Sequence, residues 1–330
     1  MRRAKGFYIF VCTLLIAAAA ALILPASSAQ AADLCGKVNS NWTKAGNYSY
    51  KLTKKGKLLY RVGKGKEKVI AGKVAWARYH GSRVAYLLEM SDEGGFCRTP
   101  CRIFDCYKKK TVRKCVLKDK EAAYNRKILG FYNDNLAVTY ASGAGVAFVN
   151  TKKYTSFMQN TWTKCSPAGG AQEGKYLVYV DAGGSLEVMD LSTGKVNTIS
   201  KKGFSVIIHK GKLYYSEVKF GMDSIKKQTV NLYTCSVSGK GKKLLGSFKL
   251  KEDYWFDISD SGSGLVIIPT KNGAYIRQSV NGKYAYKALS FKTKQLKTIG
   301  RKKFDKMAKL PGLVAYGLTF YKNDDLDGVR

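Results

Sequence analysis

EGKYLVYVD, residues 173–181, is the clearest copy of a segment that recurs along the chain: a tight polar turn followed by an apolar strand with a tyrosine near its middle. Similar segments begin at residues 80, 133, 209, 261 and 310. Their middle residues lie 36 to 54 positions apart, at 86, 140, 179, 215, 268 and 316. Short strands that repeat at a variable period of this size, in a chain with 33 glycines and 5 prolines, predict the blades of a β-propeller.

A strand–turn–strand hairpin accompanies these tyrosine strands. Its copies lie at residues 58–70, 102–116, 145–157, 186–199, 231–245 and 285–299. A further apolar segment precedes most tyrosine strands, as VAWARY does at residues 74–79, so each unit has four strands. The chain starts on a hairpin and ends on a tyrosine strand, so its two ends would share one blade. Closure of the ring in this way would remove an open sheet edge.

We therefore predict an all-β fold with no helix after residue 31: a β-propeller of four-stranded blades, closed by pairing the N- and C-terminal segments. The count favours six blades, and seven follow if residues 48–52 belong to another unit. The segments SDSGSGLVII (residues 259–268), EGKYLVYV (173–180) and LEVMDLSTGKV (186–196) resemble the repeats of TolB-like six-bladed propellers. The resemblance covers residues 58–322 and implies the fold; it implies no partner, because the regular Pro-Asp-Gly turn of that group is absent.

The first 31 residues predict an export signal. A basic start is followed by an apolar run over residues 6–24, by Pro25 and by a small-x-small cleavage site at Ala29-Gln30-Ala31. Because about 20 apolar residues can span a bilayer, an uncleaved anchor is the alternative. We expect a bacterial protein that is secreted or held at the cell surface. The predicted parts are a signal (1–31), an irregular lead-in (32–47), the propeller (48–322) and an acidic tail (323–330).

Export agrees with the cysteine content, because disulfides form outside the cell. Cys235 shares a strand face with apolar neighbours and is predicted to stay unpaired. A zinc site is the alternative, but the spacing of the four cysteines over residues 97–115 matches no known ligand pattern. We expect no metal and no other cofactor. The predicted disulfide cysteines are Cys35, Cys97, Cys101, Cys106, Cys115 and Cys165.

The formal net charge is +35. A basic excess of this size commonly indicates nucleic acid, but export argues against that partner. The remaining candidates are an anionic cell-wall polymer or an envelope protein, with a membrane involved only if the N-terminal helix is uncleaved. Alternatively, the lysines only keep a β-rich protein soluble and block edge pairing. The sequence makes no prediction of the oligomeric state.

Long connections on one face of the predicted propeller are the expected binding surface, since binding residues concentrate on such loops. The alternative for the tryptophans is packing between blades. No Ser–His–Asp set occurs, so we predict a non-enzymatic binding or scaffolding module. A carbohydrate-active enzyme that uses the carboxylates of Asp253 and Asp257 is the alternative. The candidate binding residues are Trp76, Arg78, Asp92, Phe96, Met222, Asp223, Trp255, Tyr275 and Arg277.

Overall fold

The computed structural model describes residues 35–93, 96–119, 126–140, 145–153, 156–159, 170–180, 184–219, 224–255, 264–280, 283–310 and 312–315. The predicted signal and the predicted acidic tail lie outside these residues. Across the described ranges, no helix has both the length and the apolar character that a membrane crossing requires.

In the part of the chain that the structure describes, six sheets of three or more strands follow one another. Sheet 1 contains β2 (Thr43–Ala45), β3 (Tyr48–Leu52), β4 (Leu58–Val62) and β5 (Lys68–Ala71). Sheet 2 contains, in spatial order, β1 (Cys35–Lys37), β6 (Val74–His80), β7 (Arg83–Leu88), β9 (Phe96–Asp105), β10 (Lys110–Asp119) and β14 (Ser156–Gln159), with β8 (Ser91–Glu93) paired to β9. Sheet 3 contains β11 (Ile128–Tyr132), β12 (Asn135–Tyr140) and β13 (Gly145–Asn150).

The second half of the chain has the same plan. Sheet 4 contains β15 (Gly170–Glu173), β16 (Tyr176–Val180), β17 (Leu186–Asp190) and β18 (Lys195–Ser200). Sheet 5 contains, in spatial order, β23 (Lys243–Lys249), β22 (Thr229–Ser236), β20 (Lys212–Glu217), β19 (Gly203–His209) and β29 (Leu313–Ala315). Sheet 6 contains β25 (Leu265–Pro269), β26 (Gly273–Val280), β27 (Lys283–Ser290) and β28 (Leu296–Thr298). A separate ribbon pairs β21 (Ser224–Ile225) with β24 (Tyr254–Trp255).

Two-residue turns lead into the tyrosine strands of sheets 2 to 5, as the sequence predicted. In sheet 5, His209 pairs with Lys212, and the two residues between them have φ of 51° and 68°. Two consecutive positive φ values define the type I′ turn, whose twist matches that of a hairpin. In sheet 4 the corresponding turn begins at Gly174, with φ of 54°, a conformation that glycine adopts without steric cost.

Neighbouring sheets pack face to face, and each pair shares an apolar core. The middle tyrosines belong to these cores: Tyr86 is 1% exposed and Tyr215 is 0% exposed. The inner strands β6, β11, β15 and β19 lie beside one another in chain order. The fold is therefore nearly all-β, with antiparallel sheets stacked in series as propeller blades are. Representative members of the five shared cores, from each facing sheet in turn, are Tyr50 with Tyr86, Leu87 with Phe131, Leu129 with Leu177, Val178 with Val206, and Leu232 with Ile267.

The helix α1 (Arg301–Met307) is a departure from the predicted absence of helices. Phe304, which is fully buried, packs with Val266 and Ile268 on the face of sheet 6 that points away from sheet 5. Apolar residues at 304, 307 and 308 have helical spacing, but seven residues are too few for a clear period in the sequence.

The described residues do not confirm the predicted closure or the count of six blades. The hairpin of β4 and β5 pairs with β3, and the C-terminal strand β29 pairs with β19 of sheet 5. The pairing of β3 with β4 closes only a short loop, which costs little entropy. Residues 48–52 therefore belong to sheet 1, and residues 35–37 and 43–45 of the expected irregular lead-in form strands.

The predicted hairpin at residues 145–157 is also not formed. The strand β14 pairs in parallel with residues 116–119 at the far end of β10 instead of with β13. Because β10 is ten residues long, its outer edge offers unpaired backbone groups that another strand can satisfy. Sheet 3 consequently has three strands among the described residues, and sheet 2 has seven.

Candidate functional site

One face of β6 gathers polar side chains at the inner edge of sheet 2. Trp76, Arg78 and His80 alternate along this strand, so they project to the same side, toward sheet 3. The short strand β1 adds to this face, because Lys37 is the register partner of Arg78 and Cys35 is the partner of His80. A sheet face that is otherwise apolar therefore carries a row of polar groups at its inner edge.

Two lysines lie close to the ring of Trp76. Its indole Nε1 donates a hydrogen bond of 3.2 Å to the carbonyl oxygen of Ile128, at the start of β11. The Nζ atom of Lys37 lies 4.2 Å from the Trp76 ring centroid, and the Nζ atom of Lys127 lies 5.8 Å from it. Each such cation–π contact stabilises by about 0.5–2 kcal/mol, depending on desolvation. The indole is thus fixed by sheet 3 while two ammonium groups lie against its ring.

Arg78 is a buried cation next to this tryptophan, with 6% of its surface exposed. Its guanidinium donates a hydrogen bond of 3.4 Å to the carbonyl oxygen of Gly170, at the start of β15. Burial lowers the pKa of Arg78, and the nearby Cys35 thiol and Tyr79 hydroxyl oppose that shift. Among the described residues no carboxylate pairs with Arg78, and its Nε atom has no acceptor.

We call this set the Trp76 cluster: Lys37, Trp76, Arg78 and Lys127. It lies at the end of the molecule where the inner strands of sheets 2, 3 and 4 begin, since its backbone acceptors are at the first residues of β11 and β15. Lys127 directly precedes β11, and Gly170 is the first residue of β15, so the cluster lies near the starts of these inner strands. The sequence analysis predicted binding on the connections that lead to such starts, and this remains a prediction.

The structure brings together two of the nine candidate residues, Trp76 and Arg78, in this cluster. Trp76 also packs against the core between sheets 2 and 3, so the alternative of packing between blades holds for part of its surface. Asp92 is an exposed residue of β8. Phe96 begins β9 and Trp255 ends β24, and the structure describes the backbone of these two residues but not their side chains. Met222 and Asp223 lie outside the described residues.

Tyr275 and Arg277 lie in a different blade, on β26 of sheet 6. Tyr275 lines a cavity of about 460 Å³ together with hydroxyl groups and the lysines Lys297 and Lys303. Arg277 is 1% exposed, and its guanidinium carbon lies 4.5 Å from the ring centroid of Tyr284. These two residues therefore belong to a second polar region and not to the Trp76 cluster.

Sequence reasoning missed Lys37 and Lys127. Lys37 falls in a segment that was expected to be irregular, and only the pairing of β1 with β6 places it over Trp76. Lys127 immediately precedes an inner strand, a position that could have marked it, but one lysine among 58 basic residues carries no signal alone.

None of the six cysteines in the described residues is in a disulfide, and Cys165 lies outside them. The predicted disulfides are therefore not supported. Within the same residues, no three side chains among His, Cys, Asp and Glu come together as metal ligands. The alternative catalytic carboxylate Asp253 accepts a hydrogen bond of 2.6 Å from the Lys227 backbone N–H, which lowers its pKa, and it also pairs with Lys226. Asp257 lies outside the described residues.

No protein-family model and no curated protein sequence matches the chain. Solved structures of low similarity include Sqt1 of Saccharomyces cerevisiae (10% identity, 78% of this chain and 70% of that chain, TM-score 0.39). The β-propeller domain of Swd1 from Myceliophteria thermophila (10%, 80% and 96%, 0.33) and the uncharacterized protein lmo1340 from Listeria monocytogenes EGD-e (11%, 83% and 79%, 0.39) are similar to the same degree. Similarity at these TM-scores is too low to establish the fold, which is seen instead in the sheets and their shared cores.

Proposed function

We propose that the chain is an exported, non-catalytic binding module that attaches to an anionic polymer of the bacterial cell envelope through the Trp76 cluster. The observation that carries this proposal is the buried Arg78, which has no carboxylate partner among the described residues and lies beside a tryptophan flanked by two lysines. An anionic group bound at the cluster would supply the missing counter-charge.

Electrostatics favours an anion at this place. A buried cation costs free energy unless it is paired, and like charges nearby add repulsion. Six acids in the described residues are already engaged by cations at N···O distances of 2.7 to 3.6 Å: Asp105, Asp134, Asp190, Glu217, Asp253 and Asp305. The net charge of +35 adds a long-range attraction that is screened by salt.

The chemistry of the cluster fits a polymer that has both apolar and charged surface. The Trp76 ring offers an aromatic face near the lysine ammonium groups, and aromatic rings bind flat, weakly polar surfaces such as those of sugar rings. Lysine and arginine donate hydrogen bonds to phosphate and carboxylate oxygens. A phosphate polymer or an acidic glycan combines these two features.

The acidic loop residues do not favour catalysis. A general acid in a glycosidase needs a raised pKa, whereas the backbone hydrogen bond from Lys227 lowers the pKa of Asp253. His80 packs its ring against Phe131 and Tyr132, with centroids 5.8 Å and 5.6 Å away. The surroundings of Asp253 and His80 therefore favour structural roles over acid–base catalysis.

The test is binding of the full chain to isolated bacterial envelopes over a salt series, with envelopes stripped of phosphate polymers in parallel. We expect binding that falls steeply with salt and with stripping. The variant Lys127→Glu should bind several-fold more weakly than the wild type. The matched control Lys195→Glu changes an exposed lysine of sheet 4 that is outside the cluster and should bind as the wild type does, apart from the change in net charge.

Equal loss of binding in the two variants would refute a specific anion site at the Trp76 cluster. Equal binding to intact and stripped envelopes would exclude a phosphate polymer as its ligand and leave the acidic glycan. Binding that ignores salt altogether would instead indicate a protein partner in the envelope. In that case the lysines only keep the protein soluble, which is the alternative explanation of the net charge given by the sequence.

A further inference from the structure

Two cysteines face each other across the hairpin of β9 and β10, whose strands have ten residues each. In the antiparallel pairing of β9 with β10, Cys101 is the register partner of Cys115. Directly opposed residues have Cα atoms about 4.5–5.5 Å apart, which lies inside the range of about 4.4–6.8 Å that a disulfide spans. Both side chains point into the core between sheets 2 and 3, with 1% and 4% of their surfaces exposed.

The other described cysteines have different surroundings. Cys97 lies opposite Asp119 on the same hairpin. Cys106 is on the other side of sheet 2, where its thiol hydrogen-bonds to the Tyr50 hydroxyl over 3.6 Å. Cys35 donates a hydrogen bond of 2.6 Å to the carbonyl oxygen of Gln172, and Cys235 lies in the core between sheets 4 and 5. Within the described ranges, Cys101 and Cys115 are thus the one pair of cysteines that the strand register sets opposite each other.

The two thiols influence each other. The interaction with Cys115 raises the pKa of Cys101, and the interaction with Cys101 lowers the pKa of Cys115. The positive charge of Arg126, at the edge of the same interface, also acts on Cys101 by favouring its thiolate.

We infer that Cys101 and Cys115 form a disulfide that closes the β9–β10 hairpin when the chain folds in an oxidising compartment. The oxidant is a second disulfide, carried by a small thiol compound or by a thiol–disulfide oxidoreductase. This inference stands independently of the proposed anion binding.

The exchange proceeds in two balanced steps. First, the thiolate of one of the two cysteines attacks one sulfur of the oxidant, forming a mixed disulfide and releasing one thiolate. Then the other cysteine, after losing its proton to solvent, attacks the protein sulfur of the mixed disulfide, forms the Cys101–Cys115 bond and releases the second thiolate. Two protein thiols are oxidised, and one disulfide is reduced to two thiols. Because both side chains are buried in the folded protein, the exchange takes place while the hairpin is still open to solvent.

The experiment folds the full chain from denaturant in a mixture of reduced and oxidised glutathione. Remaining thiols are then blocked with N-ethylmaleimide under denaturing conditions, and the digest is examined by mass spectrometry. We expect a cross-linked peptide pair that joins Cys101 to Cys115 and is two hydrogens lighter than the separate peptides. Cys106 and Cys235 should be recovered with the blocking group.

Two outcomes would overturn the inference: blocking of both Cys101 and Cys115 after folding in the oxidising mixture, or a link from either residue to another cysteine as the main product. The variant Cys106→Ser is the matched control and should keep the link. Because the wild-type digest alone decides the question, it remains decisive even if Cys115→Ser does not fold. Where Cys115→Ser does fold, Cys101 should appear blocked or glutathionylated.

Discussion

The interface between sheets 2 and 3 and the interface between sheets 5 and 6 are built from the same kinds of strands but have different interiors. The core between sheets 5 and 6 contains mostly aliphatic and aromatic side chains, among them Leu232 and Ile267, and its strand faces also include the buried, neutral side chains of Ser216 and Gln278. The core between sheets 2 and 3 includes the thiols of Cys101 and Cys115 and borders Trp76.

This difference indicates which interface contributes mainly to stability and which contains the candidate functional residues. Buried polar groups weaken a core unless they are paired, and between sheets 5 and 6 Ser205 and Ser216 satisfy each other by a hydrogen bond of 2.7 Å. The buried guanidinium of Arg78 and the thiols of Cys101 and Cys115 at the first interface agree with the proposed ligand and with the inferred disulfide, respectively. The second interface supplies stability mainly through apolar burial.

The largest expected effect is a loss of stability from the apolar interface. Leu232→Ala removes a side chain that is 1% exposed and leaves a cavity between sheets 5 and 6. Such truncations lower the free energy of unfolding by about 2–5 kcal/mol. Denaturant unfolding measures the loss, and envelope binding by the folded fraction should be unchanged. A loss below 1 kcal/mol would mean that this core is less tightly packed than the comparison assumes.

Arg78→Met tests the polar interface in the opposite sense. Replacement of a buried charge by an apolar side chain of similar length is commonly neutral or stabilising, by up to about 4 kcal/mol. We expect an unchanged or higher free energy of unfolding together with weaker binding to envelopes. A destabilisation of about 3–5 kcal/mol, typical of a broken buried pair, would contradict this and would reveal an acid that holds Arg78 from outside the described residues. Arg78→Lys, which keeps the charge, is the matched control.

The sequence predicts the blades well where turn chemistry and strand periodicity agree. The two-residue turns at Gly81 and Gly174 and the buried Tyr86 and Tyr215 are all recognisable in the tyrosine-strand motif. These features are local, so a short window of sequence contains the information that forms them.

The parts that the sequence does not predict depend on contacts that are distant in the chain. β14 joins β10 because the long edge of β10 is open, and β29 joins β19 across about a hundred residues. Trp76 and Arg78 are recognisable as candidates from one strand, but the partner Lys37 reaches them only through the pairing of β1 with β6. The register that opposes Cys101 and Cys115 likewise depends on a bulge between residues 111 and 113, which shifts the pairing by one residue.

A smaller effect on stability concerns Cys235. Its thiol lies in the apolar core between sheets 4 and 5, opposite Leu213 and not opposite another cysteine. Burial raises the pKa of Cys235 to about 11 from its usual value of 9.0, with Lys242 opposing the shift. The folded protein keeps this thiol protonated while the unfolded chain ionises, so its contribution to stability is full below about pH 9 and is lost as the pH rises toward 11. We expect the stability of the wild type relative to Cys235→Ala to fall by about 2 kcal/mol over that range. A constant difference measured by denaturant unfolding at pH 8, 9, 10 and 11 would contradict the raised pKa.

The smallest expected effect on stability comes from Lys127→Ala, at the exposed margin of the Trp76 cluster. Lys127 is an exposed residue whose ammonium lies 5.8 Å from the Trp76 ring centroid, so its removal should change the free energy of unfolding by less than about 0.5 kcal/mol. Binding should respond more, because one lysine near an anionic surface contributes about 1 kcal/mol, or roughly fivefold in affinity. The paired measurement against Lys195→Ala removes the effect of net charge. If both variants lose affinity equally, the attraction is spread over the whole basic surface; if only Lys127→Ala does, the polar interface between sheets 2 and 3 is the binding site, which would explain why its interior differs from that of sheets 5 and 6.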